Sequence, residues 1–117
     1  MIGKIGTGKS LGGAVEYVLK KEKARLLDSD GVDTESVRAI IDDFNFQRKA
    51  RREIAKVVGH ISLSFHKNDA PKLTDEFMTQ LAQTYMQCMS IADTQYIVAR
   101  HNDTEHPHLH IIYNRVK

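Results

Sequence analysis

Two strand patterns near the end of the chain constrain its fold most. Residues 95–101 and 109–116 are rich in β-branched and aromatic side chains, which favour strands. The polar connection between them has the composition of a turn. The two segments therefore predict an antiparallel hairpin.

Three histidines of this hairpin are predicted to converge. Side chains repeat every second residue along a strand, so His108 and His110 share a face, about 7 Å apart. A symmetric turn places His101 across from His108, at about 5 Å. Three imidazoles in this arrangement would form a facial metal site with coordination positions left for a substrate. A histidine alone on a strand is usually a surface or half-buried residue, but three at these offsets favour the metal site. His106 lies at the mouth of the turn, and we predict that it is not a ligand.

Length and composition indicate one soluble globular domain. The chain has 117 residues, of which 41% are hydrophobic and 27% charged. No apolar run is long enough to cross a bilayer, no signal peptide begins the chain, and a lone Cys88 suits a reducing compartment. We therefore expect a cytoplasmic protein with no membrane partner. The net charge of +2 is too small to indicate nucleic-acid binding by itself.

The periodicities predict an α+β fold. Apolar residues at helical spacing predict helices over residues 11–22 and 34–52, and a third that Thr74 caps. Residues 56–65 alternate apolar and polar side chains, which predicts a strand with one packed and one open face. The predicted order of elements is β-α-(β)-α-β-α-β-β. We expect a largely antiparallel sheet with helices on one face and polar groups on the other.

The first ten residues contain a misleading motif. Gly3, Gly8, Lys9 and Ser10 fit the phosphate-loop pattern G-x-x-x-x-G-K-[ST] letter for letter. That loop needs a buried strand before its first glycine, and only Met1 and Ile2 precede Gly3. We predict instead a short strand and a glycine-rich turn into the first helix, and no nucleotide binding.

Two groups of polar residues are candidates for contact with DNA. The second helix ends in a dense basic run, which either is a solvated helix end that complements the dipole or neutralises phosphates. On the strand over 56–65, His60, Ser62 and Ser64 share the polar face, where they are either merely solvated or suited to phosphate oxygens. The candidate nucleic-acid-binding residues are Lys9, Arg48, Lys49, Arg51, Arg52, Ser62 and Ser64.

Tyr17 is the best-placed nucleophile among the four tyrosines. Tyr85 falls on an amphipathic helix, and Tyr96 and Tyr113 alternate onto the sheet face opposite the histidines. Tyr17 lies off the buried stripe of the first helix above small residues, either as a reachable phenol or as an amphipathic residue at the core margin. A phenol needs help to lose its proton, and Asp103 could accept that proton or orient an imidazole.

The motifs resemble those of plasmid mobilisation relaxases. Residues 101–115, HNDTEHPHLHIIYNR, are similar to the H-x-D…P-H-x-H…N-R signature of that family, which belongs to the HUH (histidine–hydrophobe–histidine) endonucleases. Residues 59–65, GHISLSF, look like its central strand, and residues 1–21 look like the segment with the catalytic tyrosine. The resemblance covers essentially the whole chain in the right order.

The resemblance implies a relaxase-like sandwich over residues 1–117, truncated or forming the N-terminal part of a longer relaxase. It implies a nuclease that nicks one strand at an origin of transfer and leaves the DNA 5′ end on the tyrosine. The residues it assigns are Tyr17 as nucleophile, Asp103 as acid/base, His101, His108 and His110 as metal ligands, and Asn114 as support for the ligands.

The expected cofactor and partners follow from the same reading. Imidazole ligands favour zinc, copper or nickel, whereas the resemblance implies magnesium or manganese in function, with zinc, nickel or another metal in a crystal. The expected partners are single-stranded or supercoiled DNA at an origin of transfer and accessory mobilisation proteins. An exposed last strand would also allow a homodimer, either by edge pairing or by swapping of the strand.

Two alternatives stay open at this point. A rolling-circle replication initiator or a transposase of the same superfamily would share the chemistry, although these proteins commonly place the tyrosine after the histidine pair. A DNA- or metal-binding fragment without catalysis would have the same residues but would not cleave DNA.

Overall fold

The computed structural model describes residues 2–21, 23–102 and 106–116, and within them the elements follow the predicted order. They are β1 (Ile2–Gly8), α1 (Leu11–Leu19), β2 (Arg25–Asp30), α2 (Val37–Arg48), β3 (Val58–Ser64), α3 (Asp75–Cys88), β4 (Tyr96–His101) and β5 (His108–Asn114). Short 3-10 helices over Lys49–Arg51 and Lys67–Lys72 follow α2 and β3. None of the helices described is both long enough and apolar enough to cross a membrane.

The strands form one antiparallel sheet in the order β1-β3-β5-β4-β2. The predicted α+β class with an antiparallel sheet is confirmed. The last strand, however, is not exposed, so the expectation that it pairs with a second copy is wrong. β5 lies at the centre of the sheet and has fully buried apolar residues on both faces, Leu109 and Ile111 on one and Ile112 on the other. The sheet edges are β1 and β2.

Helices cover both faces of the sheet, whereas the sequence predicted one covered face. One core cluster joins α1 and α2 to the side chains of Val58, Ile97, Ala99 and Ile112. The other joins α3 to Ile61, Leu63, Val98, Leu109 and Ile111. Because neighbouring residues of a strand point to opposite faces, apolar pairs such as 97–98 and 111–112 require a helical layer on each side.

The face under α1 and α2 is also the face that carries the histidines. His60, His101 and His110 have the same parity along their strands as Val58, Ala99 and Ile112, so α1 covers the apolar half of a surface whose other half is polar.

The first helix is fixed at the border between these halves. Leu11, Val15 and Val18 are fully buried, and the Ser10 hydroxyl accepts a hydrogen bond from the Gly13 amide at 2.9 Å. α1 ends at Leu19, earlier than predicted.

The glycine-lysine-serine motif at the start of the chain is not a phosphate-binding loop. Gly3 and Gly8 are residues of β1 and pair in register with Leu63 and Val58 of β3. An extended edge strand cannot wrap its amides around a phosphate. The fold is therefore consistent with the prediction that this motif does not bind a nucleotide.

Candidate active site

Three histidines of the β4–β5 hairpin converge as the sequence predicted. His101 and His108 face each other in the strand register, and His110 follows on the same face of β5. The ring centroids of His101 and His110 lie 4.3 Å apart, and each lies 5.1 Å from that of His108. One ligand atom from each residue lies within 4.8 Å of the others, so the group could hold a metal ion. His106 is not part of this group.

Backbone carbonyls fix the tautomers of two of the rings. His101 Nε2 lies 2.6 Å from the Val18 carbonyl oxygen, and His108 Nδ1 lies 3.1 Å from the carbonyl oxygen of His106. A carbonyl only accepts, so each of these ring nitrogens carries a proton. In the neutral rings the lone pair then sits on Nδ1 of His101 and Nε2 of His108, as a metal ligand requires.

The third ring is held by another histidine. His110 Nδ1 lies 2.7 Å from His60 Nε2, and the ring centroids are 5.0 Å apart. Burial, together with the neighbouring His101, His60 and His108, lowers the pKa of His110 to about 3. Burial also lowers the pKa of His60, with a smaller effect of His101. Both imidazoles are therefore neutral near pH 7, the state in which histidine binds metals. The donor set fits a divalent cation.

Tyr17 of α1 lies beside this cluster. Its ring centroid is 6.0 Å from that of His110 and 6.2 Å from that of His60, in edge-on contacts. The Lys21 ammonium lies 4.6 Å from the centre of the phenol ring. Tyr17 is 50% exposed, so a substrate as large as a nucleic acid can reach it. These contacts exist because α1 packs on the histidine face.

The other tyrosines lie on the opposite face or its helix, as predicted. Tyr96 and Tyr113 belong to the core cluster of α3, which also carries Tyr85. The Tyr96 hydroxyl donates a hydrogen bond to Asp28 at 3.0 Å, and burial together with that bond raises its pKa to about 12. These phenols are therefore separated from the histidines by the sheet.

An open groove of about 350 Å³ runs between Tyr17 and the edge strand β1. His60, Ser62 and His110 line it on the sheet side, and Lys4 lines it from β1. Ser62 pairs with His110, and Ser64 pairs with His108 in the β3–β5 register, so both predicted serines lie on the histidine face.

The basic run meets the start of α1. The Arg48 guanidinium donates to the Lys9 carbonyl at 3.1 Å, which brings the end of α2 beside Lys9. Lys49, Arg51 and Arg52 are exposed, and Arg51 is paired with Glu53. Contact of these residues with DNA stays a prediction.

Asp103 and Asn114 are the two remaining predicted site residues. Asp103 lies outside the described residues. The Asn114 side chain is fully buried, donates to the Phe44 carbonyl and Gln95 Oε1, and accepts from the Val116 amide. These bonds fasten the end of β5 to α2, and a supporting role for the metal ligands stays a prediction.

Sequence reasoning missed the contact of His60 with His110. The sequence predicted His60 as a possible hydrogen-bond donor to phosphate oxygens, because the alternation of β3 shows only on which face of the sheet His60 lies. The β3–β5 register opposes His60 to Ile112 and Ser62 to His110, which makes His60 a diagonal neighbour of His110. The sequence alone does not show that β3 pairs with β5, so it could not predict this register.

Residues 17–117 match the family model described as Relaxase: MobA/VirD2-like, nuclease domain. The matched range begins at Tyr17 and includes the three hairpin histidines, His60 and both serines. No curated protein matches the sequence significantly.

Proposed function

The chain belongs to the relaxase family with a MobA/VirD2-like nuclease domain, and on that premise we propose that it nicks one DNA strand at an origin of transfer during conjugative mobilisation of a plasmid. The observation that carries this proposal is the position of Tyr17, whose ring lies 6.0 Å from that of His110 beside the three-histidine group. The family match favours a relaxase over a replication initiator or a transposase.

In the proposed reaction the Tyr17 oxygen attacks the scissile phosphorus. The bond from phosphorus to the 3′ oxygen breaks, the 5′ phosphate stays on the tyrosine, and the 3′ oxygen leaves as a hydroxyl after taking up a proton. The phenolic proton needs an acceptor, and we assign that role to Asp103 on the basis of the sequence. Because one phosphodiester replaces another, the reverse reaction can reseal the strand.

His101, His108 and His110 would hold the divalent metal ion. When bound there, the ion supplies charge stabilisation by polarising a phosphoryl oxygen. We propose magnesium or manganese in function, although three imidazoles also suit zinc or nickel. The hydrogen bonds of His101 to Val18 and of His108 to His106 hold the rings in place before the ion arrives.

We assign the DNA strand to the groove between Tyr17 and β1. The hydroxyls of Ser62 and Ser64 can donate to phosphate oxygens on the histidine face. Accessory mobilisation proteins as partners and a cytoplasmic location belong to the same proposal.

Relaxation of supercoiled DNA tests the proposed reaction. With a plasmid that carries the cognate origin and Mg²⁺ or Mn²⁺, we expect relaxed circles with protein attached to a 5′ end. Tyr17→Phe should abolish both products, because the attacking oxygen is lost. The matched control is Tyr113→Phe, which removes a phenol on the opposite face and should keep the activity.

Two results of this assay would contradict the proposal. If the wild type binds the origin but does not relax the plasmid, with or without metal, the chain is a DNA-binding fragment without catalytic activity. Relaxation by Tyr17→Phe at the wild-type rate would assign the nucleophile elsewhere.

A further inference from the structure

His60 on β3 contacts the three-histidine group but is not one of the three residues that form it. His60 is half-buried and its Nε2 lies at hydrogen-bond distance, 2.7 Å, from His110 Nδ1. Its ring also forms an edge-on contact with Tyr17, and His60 lines the groove together with His110.

The direction of the His60–His110 hydrogen bond determines which nitrogen of His110 can bind a metal. A neutral imidazole has one protonated nitrogen and one lone pair. If His110 Nδ1 donates to His60, its lone pair lies on Nε2. If His60 Nε2 donates instead, the lone pair of His110 Nδ1 is used in that bond, and Nε2 carries a proton. Only the first arrangement leaves His110 able to coordinate.

We propose that His60 is a positioning residue that accepts the Nδ1 proton of His110 and so presents His110 Nε2 to the metal ion. The proposal rests on the metal site proposed above. It gives His110 the same kind of support that His101 receives from the Val18 carbonyl and His108 from the His106 carbonyl. Because the supporting acceptor of His110 is a side chain and not a backbone carbonyl, a point mutation can remove it.

Two substitutions separate this role from simple packing. His60→Leu keeps a side chain of similar size but removes the acceptor. His60→Gln keeps an acceptor, its amide oxygen. His66→Leu removes an exposed histidine outside the metal group and serves as the control.

Zn²⁺ affinity of the whole chain, measured by titration calorimetry, is the first readout. We expect His60→Leu to weaken binding by about 10–100-fold, as loss of the hydrogen-bond partner of a metal ligand typically does, and His60→Gln to recover most of the loss. His66→Leu should match the wild type. Equal affinity of His60→Leu and wild type, or a Gln variant as weak as the Leu variant, would overturn the proposal.

The proton on His110 is the second readout, and it needs neither metal nor DNA. Nitrogen NMR of the metal-free chain should show His110 protonated at Nδ1 in wild type and a mixture of tautomers in His60→Leu. Protonation of wild-type His110 at Nε2 would overturn the role of His60 alone. Absence of Zn²⁺ binding by the wild type would instead overturn the metal site itself, and with it this proposal.

Discussion

The ability of this site to bind a metal depends on which nitrogen of each imidazole carries the proton, and not only on how many histidines are present. Each of the three hairpin histidines has one ring nitrogen in a hydrogen bond with a carbonyl or with His60. Such bonds orient the rings and fix their tautomers before a metal binds. Spacing in the sequence predicts which histidines meet, but the acceptors come from α1, from β3 and from His106, two residues before β5 begins.

A glycine on β3 helps to set the register that these contacts need. Gly59 pairs with Tyr113 across β3 and β5, and a Cβ atom at position 59 would lie 2.1 Å from the Tyr113 ring. The tyrosine ring therefore lies directly over the glycine. A register slip of one residue would send His60 to the other face, away from His110.

Gly59→Ala should destabilise the protein by about 1–3 kcal/mol, because the Tyr113 ring must leave its place to admit the methyl group. Urea unfolding followed by circular dichroism measures the change. Gly6→Ala is the matched control, since Gly6 is also a strand glycine but a Cβ atom there meets nothing within 4 Å. Equal stability of the two variants would mean that the ring moves aside at no cost.

The order of the elements was predictable, but their arrangement around the sheet was not. Alternation in 56–65 and in the hairpin correctly sorted side chains by face, including the serines and histidines. It did not show that α1 shares the histidine face, because an apolar helical stripe fits any apolar surface. The sequence also left β5 as an edge strand, although its buried residues on both faces match a central position.

The placement of α1 links helix stability to the active site. Tyr17 lies on this helix, and the Val18 carbonyl of its last turn accepts the hydrogen bond from His101. Fraying of α1 would therefore displace both Tyr17, the proposed nucleophile, and His101, a proposed metal ligand. α2 has the same kind of cap, since the Ser36 hydroxyl accepts from the Ala39 amide at 3.0 Å, but it contributes no residue to the histidine group.

Removal of the Ser10 cap of α1 and of the Ser36 cap of α2 should have similar effects on stability but different effects on DNA nicking. Ser10→Ala and Ser36→Ala should each lower the free energy of unfolding by about 1 kcal/mol, because one helix amide loses its acceptor. At a temperature where both variants are folded, Ser10→Ala should slow DNA nicking more than Ser36→Ala. Similar nicking rates in the two variants would show that α1 does not need its cap to hold Tyr17.

The charge of the whole chain gives little attraction for DNA, so the distribution of charge must supply it. The net charge is only +2, yet Arg48 at the end of α2 is followed directly by Lys49, Arg51 and Arg52. Arg48 bonds to the Lys9 carbonyl at the start of α1, the helix that carries Tyr17. A strand that passes the groove could therefore continue over this basic end.

Salt dependence of binding distinguishes a DNA contact from a solvated helix end. The double variant Lys49→Gln/Arg52→Gln should weaken binding of single-stranded DNA to a similar extent for all sequences. Its slope of log affinity against log salt should be shallower by about 1.4, or 0.7 for each lost phosphate contact. The control is Arg38→Gln, at the other end of α2, where Arg38 pairs with Asp42 at 3.1 Å. Fluorescence anisotropy from 50 to 300 mM salt measures both slopes, and an unchanged slope in the double variant would identify the basic run as a solvated helix end that complements the dipole.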